Sequence, residues 1–113
     1  MRLRSDIWVA AYRRHAVAGG AYVVVRRKGV EQAGAIFIHV DRLDGYGALY
    51  GPAPQSDASL SGERRFVRLH DEETLEAAAI ERRLSKELRF DPDLWIVVVE
   101  DRQGRPFLDG MGG

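Results

Sequence analysis

The strongest constraint on the fold is an almost unbroken apolar run near the end of the chain, residues 94–100, with the sequence LWIVVVE. A strand with one solvent-facing side alternates apolar and polar residues, whereas a continuous apolar run is typical of a strand covered on both faces. Asp91 and Pro92 precede the run, and a proline disfavours helical geometry at the residue before it. The pattern predicts a central strand that directly follows the end of a helix.

Two helices and four further strands are predicted upstream of this run. The first helix begins at Ser5 or Asp6, either of which can cap it, and ends at Gly19-Gly20. Strands rich in β-branched and aromatic residues, or alternating in polarity, are predicted at 21–27, 35–41, 46–50 and 64–70. The dipeptide Asp44-Gly45 predicts a type I′ hairpin, so the first three strands are expected to form a meander.

The second helix is predicted over residues 72–89, with Asp71 as its cap and two glutamates in its first turn. Negative charge suits the amino end of a helix dipole. The apolar stripe of this helix is narrow, with spacings of three and four residues. It consists of Ala77, Ile80, Leu84 and Leu88.

Together these elements predict an α+β fold in which a mostly antiparallel sheet of about five strands packs against two helices, in the order α-β-β-β-β-α-β. The length of 113 residues fits a single domain, 1–113. Residues 51–63, rich in Gly, Pro and Ser, are expected to form a loop. Pro106 limits any later segment to a sheet edge, and residues 109–113 are expected to fray.

Composition excludes several function classes. Lys plus Arg and Asp plus Glu both number 17, so the net charge is zero and any charge-driven binding must come from local patches. The chain has no cysteine, which excludes disulfides, thiolate metal sites and a cysteine nucleophile. No apolar stretch approaches the ~20 residues of a membrane span. We therefore expect a soluble, cytoplasmic protein that does not bind membranes.

No catalytic residue, metal site or cofactor is predicted from motifs. Asp93 and Glu100 flank the last strand and, at ~3.3 Å per residue, lie roughly 23 Å apart, too far to share a cation. The histidines lack the spacing of a helical metal pair. An enzyme remains a less favoured alternative, because His39, His70 and Glu100 can form a site if the fold brings them within about 10 Å of one another.

Clustered basic residues support a second alternative, a nucleic-acid-binding domain with a basic strand surface. Phosphate contacts need such clusters, and they make binding fall steeply with added salt. The residues that would form this surface are Arg26, Arg27, Lys28, Arg64, Arg65 and Arg68. Acidic neighbours and zero net charge equally fit a solvated, salt-bridged surface.

The favoured hypothesis is a non-enzymatic module that binds an unidentified protein partner. The segment 51–63 is longer than the usual connection of about four to six residues, and long loops often carry binding residues. Tyr50, Pro52 and Pro54 are the candidate contact residues of this loop. An open sheet edge near Pro106 and Phe107 is a second candidate docking surface.

Several segments resemble those of one known family. They are Ile7–Arg14, Leu49–Pro54, Glu81–Arg83, Phe90–Trp95 and Val99–Arg102. The strings LYGPAP and DPDLW are the most specific of them. Together they resemble a family of small bacterial proteins catalogued as domain of unknown function 1491, over essentially the whole chain. The resemblance implies a bacterial cytoplasmic protein and brings with it no catalytic residue, cofactor or partner.

Overall fold

The computed structural model describes residues 3–54 and 64–111. Its elements are α1 (Ser5–Ala18), β1 (Tyr22–Arg27), β2 (Ile36–Asp41), β3 (Tyr46–Pro52), β4 (Phe66–Arg68), β5 (Leu75–Glu76), α2 (Ala77–Phe90) and β6 (Trp95–Glu100). The predicted α+β class and element order are confirmed, with the two-residue β5 as an additional strand. Among the described helices, none is long and apolar enough to cross a membrane.

The strand order in the sheet is β1-β6-β2-β3-β4, with β5 paired to β3. β6 runs antiparallel to β1 and parallel to β2, and every other pair is antiparallel. The expected meander of the first three strands is therefore wrong, because β6 separates β1 from β2. The physical reason is that β6 carries apolar residues on both faces. Both faces are covered only if the strand lies in the middle of the sheet.

The connection from β1 to β2 passes around the start of β6. The Val30 amide donates to the carbonyl of Asp93 at 2.9 Å, and the indole Nε1 of Trp95 donates back to the Val30 carbonyl at 2.8 Å. Gly29 and Gly34 lie so close to the backbone around Asp93 that a side chain at either position would overlap it. This packing fixes the gap between β1 and β2 that β6 occupies.

The two helices pack on opposite faces of the sheet. On one face, α1 forms a core with side chains of β1, β2 and β6, including Trp8, Tyr12, Val23, Ile38, Val97 and Val99. On the other face, α2 forms a second core consisting of Phe37, Leu49, Ile80, Leu84, Leu94 and Ile96. β6 contributes alternate residues to both cores, as its apolar run predicted.

α2 begins at Ala77, five residues later than the predicted start at residue 72. Leu75 and Glu76 instead pair with β3 as β5, and Asp71 does not cap the helix. Pairing with an existing strand edge satisfies the backbone groups of these residues, which outweighs the preference of an acidic segment for a helix start. The predicted end of the helix before Asp91-Pro92 agrees with the structure.

The turn between β2 and β3 differs from the predicted type I′ turn at Asp44-Gly45. Positive φ angles occur at Leu43 (65°) and Gly45 (89°), not at Asp44. The Arg42 amide donates to the Tyr46 carbonyl at 3.1 Å, so three residues form the loop. The Asp44 side chain accepts a hydrogen bond from the Tyr46 amide, which is the turn chemistry typical of aspartate.

The predicted loop and tail lie partly in the described residues. In the segment 51–63, β3 continues to Pro52, which pairs with Phe66, and residues 55–63 lie outside the described part. After Pro106 no further strand occurs up to residue 111. Phe107, Leu108 and Met111 pack instead against the α1 core. Of the expected frayed segment 109–113, residues 112 and 113 are not described.

Substitution of Gly47 tests the close packing of β2 against β3. A β-carbon at this position would overlap the Val40 carbonyl oxygen, which belongs to the backbone and cannot move aside. We expect Gly47→Ala to lower the free energy of unfolding by about 1–3 kcal/mol in urea denaturation. Gly45→Asn is the control, because asparagine tolerates positive φ and the space at Gly45 is open. Equal stability of Gly47→Ala and wild type would contradict this packing.

Candidate functional site

The α2 side of the sheet is only partly covered. α2 lies over Phe37, Leu49 and Ile96, whereas the outward side chains of β1 on the same face are open to solvent. Tyr22 is 64% exposed and Val24 is 39% exposed. By register, Val24 lies beside Val98 of β6, which is half-buried. An apolar strip therefore runs along the β1 side of this face.

β1 is also an edge strand. It pairs with β6 on one side, and in residues 3–54 and 64–111 no other strand pairs with it. β1 has six residues, whereas the strand at the opposite edge, β4, has three. An edge strand presents unpaired amide and carbonyl groups that another extended chain can bond. β1 is thus the longer of the two open edges.

An ion pair links β1 to α2 across this face. The Arg26 guanidinium donates to Oε1 of Glu81, and both side chains are about half exposed. This hydrogen bond is the main reason that the pKa of Glu81 is lowered. The second carboxylate oxygen, Oε2, is buried and has no partner. The pair forms the border between the covered and the open part of the face.

His39 of β2 lies next to this ion pair. It is 7% exposed, and its Nδ1 atom is buried without a hydrogen-bond partner. Burial is the main cause that lowers the pKa of His39, and the charge of Arg26 adds to it, while Asp41 and Glu81 act in the opposite direction. The imidazole is therefore neutral at pH 7 and has an unused ring nitrogen.

His70 has a structural role that separates it from His39. Its Nε2 accepts a hydrogen bond from the Leu49 amide at 3.0 Å, and its Nδ1 lies 2.8 Å from the Glu72 carbonyl oxygen. Since Nε2 is the acceptor, Nδ1 carries the proton and donates to Glu72. His70 thus completes the hydrogen bonding of β3 just beyond the end of β4, and both of its ring nitrogens are occupied.

The enzyme alternative required His39, His70 and Glu100 to meet. β2 and β4 do not pair, because β3 lies between them, and His39 pairs with Leu49. Glu100 pairs with Asp41, two residues beyond His39, so the Cα atoms of His39 and Glu100 are about 8 Å apart on the same face. The carboxylate that neighbours His39 from the opposite layer is that of Glu81.

Acidic residues at the two ends of β6 have structural partners. Oδ1 of Asp91 accepts a hydrogen bond from the Asp93 amide at 3.0 Å. Asp101 is buried, and both of its carboxylate oxygens accept hydrogen bonds from Arg105, which keeps its pKa low. Among residues 3–54 and 64–111, no group of three His, Asp or Glu side chains is placed to hold a metal ion.

The predicted basic surface is divided between the two edges of the sheet. Arg26 and Arg27 are in β1 and Lys28 follows it, whereas Arg68 is in β4. At ~4.8 Å per strand spacing, β1 and β4 are roughly 19 Å apart. Arg27 donates a hydrogen bond to the Pro92 carbonyl, and Lys28 forms an ion pair with Glu31. Arg64 donates to the Ser5 hydroxyl and the Leu3 carbonyl, and Arg68 donates to the carbonyls of His70 and Asp71. Arg65 is exposed.

The predicted contact residues of the 51–63 loop differ in exposure. Tyr50 is partly buried and packs against the α1 core. Pro52, the last residue of β3, and Pro54 are exposed. Of the three candidate contact residues, only the two prolines are therefore exposed.

The architecture is that of a small α+β domain with one parallel strand pair inside an otherwise antiparallel sheet. A model of a protein family of unknown function, DUF1491, matches residues 3–109. The chain belongs to the DUF1491 family. No curated protein matches the chain.

Solved structures of family members share this fold. The crystal structure of a DUF1491 family protein from Caulobacter crescentus CB15 has a TM-score of 0.77 and 36% identity, covering 96% of this chain and 95% of that one. An NMR structure of a DUF1491 family protein from the same organism has a TM-score of 0.79 and 39% identity, covering 96% and 94%. Protein Atu0922 from A. tumefaciens, solved in solution, has a TM-score of 0.76 and 43% identity, covering 88% and 86%.

The cluster of Arg26, His39 and Glu81 was missed by sequence reasoning. Its members come from β1, β2 and α2, and no local spacing relates them. The only sequence signal is that His39 interrupts the apolar residues of β2 before its last residue, Asp41. A polar residue in such a strand indicates a buried polar neighbour, but it does not identify it.

His39 makes stability depend on pH. Because the pKa of His39 in the folded protein is below 6.5, the unfolded chain binds the proton more readily than the folded protein does. The contribution of the neutral His39 to the free energy of unfolding is therefore fully present above about pH 6.5 and decreases as pH falls toward the folded pKa. We expect wild type to lose more unfolding free energy between about pH 7.5 and about 5.5 than His39→Gln. Urea denaturation at each pH measures this.

His15→Gln is the matched control, because His15 lies on the exposed side of α1. It should keep the wild-type pH dependence. The contribution of Glu81 falls outside this window, since a lowered carboxyl pKa stabilises above about pH 4.5 and its effect is lost only at lower pH. A wild-type slope that persists in His39→Gln would contradict the burial of a neutral His39.

Proposed function

We propose that this protein is a non-enzymatic interaction domain that binds an extended segment of another protein along β1, as an added strand of its sheet. The observation that carries the proposal is that β1 is a six-residue edge strand with an unpaired outer side and exposed apolar side chains. Main-chain hydrogen bonds give affinity in this mode of recognition, and pockets for alternate side chains give specificity.

The exposed side chains of β1 define the chemistry of the partner. Tyr22 and Val24 lie on the same face two residues apart, so they match apolar side chains at alternate positions of an extended segment. At the other end of β1, Arg27 bonds a carbonyl, and the described residues offer its guanidinium no carboxylate. An acidic residue in the partner segment would supply that counter-charge.

Other surfaces are less suited to this function. β4, the opposite edge, has three residues and therefore offers fewer main-chain hydrogen bonds. The two basic segments lie on opposite edges, so a nucleic acid would have to span the sheet to contact both. Binding through Pro52 and Pro54 remains a prediction from the sequence. Among the described residues, β1 has three exposed large apolar side chains, Tyr22, Val24 and Val25, whereas β4 has one, Val67.

The test is selection of peptides from a random display library, followed by NMR mapping of the selected peptides on the labelled protein. We expect peptides that alternate apolar residues and carry an acidic residue near one end. Their binding should shift the amide signals of β1. Val24→Lys should weaken binding at least ~10-fold, because a charge on an edge strand opposes pairing.

Val67→Lys is the matched control. Val67 lies on the opposite edge and is 38% exposed, close to the 39% of Val24, so the same substitution there should leave peptide binding unchanged. If the selected peptides shift residues 51–54 instead, the loop is the binding surface and the β1 proposal fails. No enrichment, or retention only of added single-stranded DNA at low salt, would also contradict it.

A further inference from the structure

A polar cavity of about 200 Å³ lies on the α1 side of the sheet, at the end that α1 leaves open. Its floor is formed by Val40 and Ala48 of β2 and β3, and the turn containing Gln103 and Gly104 forms one wall. The charged side chains that line it are Arg42, Arg68 and Glu73. None of these residues belongs to β1 or to the apolar strip beside it.

Arg42 enters the cavity without a partner. Its Nε atom is buried and makes no hydrogen bond, and across the described residues no carboxylate forms an ion pair with its guanidinium. Gly104 packs on the aliphatic part of the side chain, where a β-carbon would lie 3.3 Å from Cδ. A buried guanidinium nitrogen without an acceptor is costly, and in the described structure the terminal nitrogens of Arg42 also make no hydrogen bond, so they remain as donors that a ligand can use.

Arg68 is held on another side of the same cavity. Its Nε and Nη2 donate to the carbonyls of His70 and Asp71 at 3.0 and 3.2 Å. These bonds fix the orientation of the side chain without neutralising its charge. A guanidinium has five N–H donors, so donors remain for a ligand. Among the described residues, the lining therefore contains two guanidinium groups and one carboxylate, that of Glu73, and has a net positive charge.

We propose that this cavity binds a small molecule carrying a phosphate group, which Arg42 and Arg68 bind together. Planar guanidinium groups match the oxygens of a phosphate, and they bond it with two donors at a time. The Thr74 hydroxyl and the Gln103 amide, also in the lining, offer further hydrogen bonds. A volume of about 200 Å³ is below that of sites for drug-sized ligands, which favours a small phosphate ester or free phosphate over a nucleotide.

The test is an NMR titration of the labelled protein with inorganic phosphate and, separately, with glycerol 3-phosphate, with chloride at equal ionic strength as the reference. We expect saturable shifts of the Gly47 and Gly104 amides and of the Arg42 Nε–H signal with either phosphate compound and none with chloride. Tighter binding of the ester identifies a phosphate ester as the ligand class, and equal binding identifies the phosphate group alone. Both results support the site.

Variants at the cavity should act in opposite directions. Arg42→Gln should weaken phosphate binding at least ~10-fold without loss of thermal stability, because the lost nitrogen had no partner in the fold. Glu73→Gln should tighten binding several-fold, because it removes the only carboxylate among the described residues of the lining. Arg82→Gln, on the exposed side of α2, is the control and should bind as wild type does.

Equal shifts with chloride, or phosphate binding that is the same in wild type, Arg42→Gln and Glu73→Gln, would overturn the proposal. If Arg42→Gln failed to fold, the effect of Glu73→Gln would still decide the question. A Glu73→Gln variant that binds phosphate no tighter than wild type would contradict a phosphate group between the two arginines.

Discussion

The parallel pairing of β6 with β2 is the constraint on which the rest of the structure depends. β6 pairs with β2 through all six of its residues and with β1 on its other side. Its residues Ile96, Val97 and Val99 are almost completely buried. Full burial of one such side chain contributes about 1.5–3 kcal/mol, so this strand is a major source of the hydrophobic stabilisation. It achieves this only with apolar layers on both faces.

The placement of β6 also determines which surfaces remain open. Because β6 displaces β1 to the edge of the sheet, β1 has a free outer side. Each helix covers only part of the sheet face on which it packs. α2 leaves the β1 side open, where Tyr22 and Val24 are exposed, and α1 leaves open the end of β2 and β3 where Arg42 lies. The apolar strip along β1 and the proposed phosphate cavity are thus on opposite faces of the sheet, and each can be tested without disturbing the other.

Local patterns predicted most of the elements, because helix ends and strand polarity depend on nearby residues. Gly19 ended α1, Pro92 ended α2, and the apolar run identified β6 as central. The strand order was beyond such patterns, since pairing of β2 with β6 joins residues about sixty positions apart along the chain. The predicted start of α2 was wrong because Leu75 and Glu76 pair with β3. The helix preference of nearby residues does not reveal such a contact.

The candidate sites were less accessible to sequence analysis than the fold. Arg26 and Arg68 were predicted to share one basic surface, and only the strand order reveals that they lie on opposite edges. His70 was a candidate catalytic residue by type, yet its ring bonds two backbone groups. Arg42 carried no signal in the sequence, because its significance depends on the absence of a carboxylate partner in the surrounding described structure. Chemistry assembled from several strands becomes visible only in three dimensions.

The most direct test of the central claim is amide hydrogen exchange of the unbound protein at several protein concentrations. If β1 is an open edge, its amides that do not bond β6 should exchange fast at every concentration, while the amides of β6 remain protected. Adding a selected peptide should then protect β1 and leave β4 unchanged. Slow exchange along the whole of β1 in the absence of any partner would mean that the edge is already covered, and would contradict the account.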